Sequence, residues 1–200
     1  MHRRTAVVGV LLAASVLTAC GGDGLTAGTA VVLDGRRIPI GAVEARVSQL
    51  RDGTGGASTD AREQPDAPAR QAVTDLVLDA VVARALSDRR LTVTGAEVAA
   101  ARAAEQERFG GAGQLSRALA GEGVPEGAID AYYRRQLGLR RLAAAAGQDA
   151  TTPAGDAVVR RALADAAIAL HLRVNPRYGT WDPEHVALLP DNPPWLTPPG

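Results

Sequence analysis

The stretch AVVLDGRRIPIGAVEARVSQLRD, Ala30–Asp52, decides how the chain must be read. Ala30–Asp34 opens with a short β-type run, Asp34-Gly35 is a strong turn signal, and Arg36–Ile40 can return as a second short strand. Pro39 cannot donate to a ladder, so that return belongs at a sheet edge. From Ala42 the apolar residues Val43, Val47 and Leu50 fall at helical spacing. A strand, a turn, a short strand and a helix therefore begin the folded part.

Downstream the pattern is helical. Gly53–Ala69 is polar and rich in Gly and Pro, and reads as a long loop. Ala69 to about Arg89 is a helix with Val73, Leu76, Val77, Ala80, Val81 and Leu86 on a broad apolar face. The additional Leu78 and Val82 imply burial on more than one side. Thr94-Gly95-Ala96-Glu97 is a capping box, in which the threonine hydroxyl caps the helix and Glu97 reaches back to the cap. The helix it starts runs over Gly95–Phe109 and ends at Gly110–Gly113. Gln114–Ala120 is a short helix, and Pro125 fits the start of another that reaches about Ala146. On that helix Arg134, Arg135, Arg140 and Arg141 form basic pairs, read as a solvated face, with contact to anionic headgroups as the alternative. Thr152-Pro153 starts a last helix to about Ala166.

Ile168–Val174 then alternates, with Ile168, Leu170, Leu172 and Val174 on one side and Ala169, His171 and Arg173 on the other, the period of a strand. A lone strand leaves its backbone groups unpaired, so it must pair with Ala30–Asp34. The expected fold is mainly α, with a small sheet joining the N- and C-terminal strands. Tyr178 and Trp181 are expected to pack on that sheet. The five prolines between Pro190 and Pro199 mark residues 184–200 as a disordered or extended tail.

Before the fold stands a different kind of sequence. His2, Arg3 and Arg4 make a basic start, and Ala6–Val16 is an uncharged apolar run. It is shorter than the ~20 residues a spanning helix needs, and these are the parts of a secretory signal, residues 1–19. At its end Leu17-Thr18-Ala19-Cys20 resembles the lipobox of bacterial lipoproteins. The alternative is an ordinary signal that ends near a cysteine. The resemblance implies that Cys20 carries a diacylglycerol, that the chain is cut before it, and that the new N-terminus is acylated. Cys20 is the only cysteine, so no internal disulfide can form, and lipidation removes the liability of an exported free thiol. Two or three acyl chains hold a membrane firmly where one does not. Gly21–Thr29 is small and aperiodic, so residues 20–29 read as a lipidated flexible tether spanning roughly 15–18 Å.

Composition narrows the function. The 200 residues carry 22 basic and 22 acidic groups, and all the basic ones are arginine. Removing Arg3 and Arg4 with the signal leaves the remainder slightly acidic, which gives no reason to expect nucleic acid as a partner. Aromatic residues make up 3%, so the core must come from Leu, Val, Ile and Ala. His171 and His185 have no neighbours at metal-ligand spacing, and neither an H-E-x-x-H nor a G-x-S-x-G motif is present. No cofactor and no catalytic residue is assigned, and the chain is expected not to be an enzyme.

The order of elements over residues 30–183 resembles the N-terminal chaperone domain of SurA-like and PrsA-like foldases. Val31-Val32-Leu33-Asp34-Gly35-Arg36-Arg37-Ile38 stands for the family's opening strand, and Val93-Thr94-Gly95-Ala96-Glu97-Val98 for its helix start. Phe109, Leu115, Leu119, Gly123 and Ile129 stand where the family has a Phe, a leucine-bearing helix and the start of a long helix. Val174–Asp182 is similar to the ending of short lipoprotein members. The departure is the parvulin prolyl-isomerase segment, for which no stretch remains. The resemblance implies a membrane-anchored extracytoplasmic binder of exported unfolded polypeptides without isomerase activity. The alternative is a scaffold lipoprotein that docks one specific partner. Phe109, Tyr132 and Tyr133 are the candidate client-contacting aromatics, with core packing as the other reading of each.

Overall fold

The computed structural model describes residues 25, 27–53 and 66–189. The signal, Cys20, most of the tether, most of the 53–69 loop and the tail from residue 190 lie outside the described residues.

The chain opens with a hairpin, β1 (Thr29–Leu33) and β2 (Arg36–Pro39). Asp34 and Gly35, at φ 47° and 77°, take the left-handed conformation that a two-residue hairpin turn requires of both its central positions. Helix α1 (Ile40–Gly53) follows Pro39 without a break, two residues earlier than the apolar spacing indicates. Then come α2 (Ala67–Asp88), α3 (Gly95–Phe109), α4 (Ala112–Gly121), a 3-10 turn at Glu126–Ala128, and α5 (Ile129–Ala145). The 3-10 turn takes the place of the first helical turn expected after Pro125. The α3 bounds agree with the sequence reading because both ends are marked. Thr94 Oγ1 accepts from the Glu97 N–H at 3.2 Å, and the Thr94 N–H donates to Glu97 Oε2 at 2.8 Å. At the other end Gly110 closes the helix in the left-handed conformation at φ 81°.

Helix α6 (Pro153–Ala169) corrects one expectation. Ile168 and Ala169 are helical, a turn follows, and only Arg173–Val174 form a strand, β3. The alternation of Ile168, Leu170, Leu172 and Val174 competes with a helical period through Leu163, Ala166, Ala167 and Leu170, which are all buried, and the helical period wins. His171 therefore sits in the turn at φ 45° rather than on a strand.

The expected pairing of the chain ends is present. β3 lies antiparallel to β1, with Val31 opposite Val174 and Val32 opposite Arg173, giving a sheet of order β2-β1-β3. A second, two-stranded sheet was not expected: β4 (Thr180–Asp182) pairs with β5 (Ala187–Leu189). Residues 187–189 are extended, as the tail reading allowed, but they have a partner. Asp182 Oδ1 accepts from the Glu184 and His185 backbone N–H groups at 2.9 and 3.2 Å and shapes the turn between the two strands.

Two apolar clusters hold these elements. The larger packs α2 against α1, α5, α6 and the sheet, with Val73, Val77, Val81 and Leu142 buried. Tyr178 is buried in it and Trp181 packs against it. The smaller joins α3, α4 and α5 through Val98, Leu115, Leu119, Ile129 and Tyr133.

Candidate functional site

Phe109, Tyr132 and Tyr133 come together. All three line one cavity of about 360 Å³ between α3, α4 and α5, with Leu115 and Leu119 behind them. Their exposures differ. Tyr133 is buried in the smaller cluster, Tyr132 meets it edge-on with ring centroids 5.3 Å apart, and Phe109 is 46% exposed. Burial raises the Tyr133 phenol above its ordinary range. Tyr133 thus packs in the smaller cluster, Tyr132 is half-buried, and Phe109 is the most exposed ring of the three.

The sequence reading missed a larger groove. It measures about 580 Å³ and runs between the C-terminal half of α2, the α2–α3 loop and the start of α5. Val82, Leu86, Leu91, Val93 and Ala131 form its apolar floor and walls. Arg90 and Arg134 stand at its rim, both exposed and without an ion-pair partner among the described residues. The signal was present in the sequence: α2 carries more apolar positions than one buried face requires, Val82 among them. The loop holds its shape because Arg90 adopts a left-handed φ of 54° and the Leu91 N–H donates back to the Leu86 carbonyl at 2.9 Å.

The four arginines of α5 divide. Arg134 and Arg140 are exposed. Arg135 is largely buried and bridges Asp79 at 2.8 Å and Asp75 at 3.5 Å, tying α5 to α2. Arg141 bonds the Glu97 carboxylate and the Thr92 carbonyl, tying α5 to the start of α3. A solvated face therefore describes only half of them. The two ties flank the groove and fix the separation of the elements that line it.

Among the described residues no group of three or more His, Cys, Asp or Glu side chains could hold a metal ion. No described helix is long and apolar enough to cross a membrane. Cys20 lies outside the described residues. No family model, curated protein or solved structure matches this chain.

Proposed function

We propose that the chain is a membrane-anchored, extracytoplasmic, chaperone-like protein, lipidated at Cys20, that holds apolar segments of exported unfolded polypeptides and has no prolyl-isomerase activity. The observation that carries this reading is the groove beside α2. Its volume of about 580 Å³ lies in the range of ligand-binding clefts, roughly 300–1,000 Å³. That is room for a few side chains of an extended segment. Aliphatic walls bind without direction, so they tolerate many sequences and hold each weakly. A lipid anchor at Cys20 would raise the local concentration where exported chains emerge unfolded. The order of elements, similar to that of the SurA-like chaperone domain, supports the same reading.

The test is an aggregation assay with a reduced model client and the detergent-extracted full-length protein, run beside a proline-isomerisation assay. Suppression of aggregation at severalfold molar excess, with no isomerase activity, is the expected result. No suppression, with recovery of a single stoichiometric partner from membranes, would replace this reading with the scaffold one. Cys20→Ser should abolish lipid labelling and shift the protein out of the detergent phase; unchanged partitioning would remove the anchor.

A further inference from the structure

A cleft of about 750 Å³ lies on the side of the three-stranded sheet away from the main core. Strand pleating puts Val31 and Leu33 on the core side and Val32 on the other. Arg37 and Arg173 are the two cross-strand partners of Val32, one on β2 and one on β3. Their side chains therefore flank Val32 on the same face, two strand spacings or about 10 Å apart at the backbone. Both are exposed, and neither has an ion pair or side-chain hydrogen bond among the described residues. The one carboxylate in the cleft, Asp34, already faces Arg84 at 3.8 Å. His171 adds a further polar group on the α6 side.

The same cleft has an apolar lip. Ile168 is 61% exposed, the most exposed large aliphatic among the described residues. Trp181 stands opposite, and its buried Nε1 has no hydrogen-bond partner. Two unpaired guanidiniums beside an exposed aliphatic and an indole are the composition of a membrane interface. There arginine meets phosphate, while aliphatic and indole groups enter the headgroup–acyl boundary.

We propose that this cleft docks on the membrane surface, with the phosphate of an anionic phospholipid headgroup held between Arg37 and Arg173 and with Ile168 and Trp181 at the acyl boundary. The chain outside the structure argues for the same occupant. β1 begins at Thr29, nine positions after Cys20 and three before Val32. Nine residues reach at most about 32 Å even when fully extended, so an anchor at Cys20 would keep this sheet within reach of the headgroups. That step rests on the lipid-anchored reading above; the charge and the apolar lip do not.

The test uses the mature chain, residues 20–200, with Cys20→Ser so that no lipid is attached, and measures co-sedimentation with vesicles at low salt. Binding to vesicles containing phosphatidylglycerol, and none to pure phosphatidylcholine, is expected. Arg37→Gln and Arg173→Gln should each weaken it about fivefold, and Ile168→Ser should weaken it too, with melting unchanged because all three side chains are exposed. Arg36→Gln, beside Leu33 in the register, is the control for diffuse charge. An equal loss from Arg36→Gln, or no vesicle binding, overturns the proposal. Saturable binding of inorganic phosphate without vesicle binding also overturns it, in favour of a free-anion site. Loss of the anchor alone would appear only in the detergent partitioning of the full-length protein.

Discussion

Asn175 holds Thr29 across 146 positions of chain: its Nδ2 donates to the Thr29 carbonyl at 3.1 Å, and its backbone N–H donates to the Ala30 carbonyl at 2.8 Å. Its Oδ1 accepts from the Arg177 N–H at 3.2 Å and starts the 3-10 turn that buries Tyr178. One side chain therefore closes the sheet and directs the chain into its last turn. Asn175→Ala removes both side-chain bonds and should cost about 1–2 kcal/mol. Asn175→Asp keeps the acceptor but sets a carboxylate oxygen against the Thr29 carbonyl oxygen, and that repulsion should make it lose at least as much. The measurement is the urea midpoint at unchanged m-value.

The Glu97–Arg141 tie predicts an acid limb of stability. The Arg141 guanidinium, and then the Thr94 N–H, draw the Glu97 carboxyl down from 4.5 to about 2. A depressed folded value means that the carboxylate's contribution is full above pH 4.5 and is lost as the pH falls through 2. Glu97→Gln preserves the capping box but not the charge, so its stability should change less across that window than that of the wild type. Equal acid slopes in the two proteins would show that the tie contributes nothing.

Arg135 should show the opposite pH dependence as a variant. Burial raises the Asp75 carboxyl, opposed by the Arg135 charge, and Asp79 adds a second carboxylate one turn away. At acid pH the Asp75 carboxyl is protonated and the loss of Arg135 is mild. As the pH rises through the raised Asp75 value, a desolvated Asp75 carboxylate is left with Arg46 as its remaining favourable charge, and the neighbouring Asp79 opposes it. Arg135→Gln should therefore cost more at neutral pH than in acid, by about 1–3 kcal/mol after allowance for its partial exposure. The same denaturation series at two pH values measures it.

Gly138 sets the approach of α5 to α2. A Cβ there would lie 2.8 Å from Val82 Cγ1 and 3.1 Å from Leu86 Cδ1, under the groove floor. Val82 is β-branched and held to one helical rotamer, so it cannot swing aside. Alanine gains up to about 1 kcal/mol of helix propensity. Overpacking of about 1–3 kcal/mol outweighs it. Gly138→Ala should thus lower the melting temperature; a rise would mean that the two helices separate freely.

Legibility in the sequence followed how many signals marked each element. α3 was readable to the residue because Thr94 and Glu97 fix its start and Gly110 its end. The β1–β3 pairing was readable because lone strands need partners. The end of α6 is not legible because Leu170 belongs both to the alternation with Ile168 and Leu172 and to the helical period of Leu163, Ala166 and Ala167. β4 and β5 were obscured by the surrounding prolines, although Asp182-Pro183 marked the turn between them. The aromatic cavity was visible as residue types. The groove was not, because its walls are ordinary aliphatics that become a site only when the Arg90 turn and the α5 ties leave them uncovered.

The groove itself can be closed without touching the core. Ala83 and Ser87 are exposed on α2, one turn apart at the groove edge. Arginine is a good helix former, so Ala83→Arg and Ser87→Arg should each change stability by no more than about 0.5 kcal/mol. Their long side chains would lie across the apolar floor and exclude a client segment. The expected outcome is a fully folded protein that no longer suppresses aggregation, while Phe109→Ala, in the aromatic cavity, retains suppression. If Phe109→Ala abolishes suppression and the arginine variants retain it, the client site is the cavity between α3, α4 and α5. The aromatics would then be the binding residues and the groove beside α2 would not.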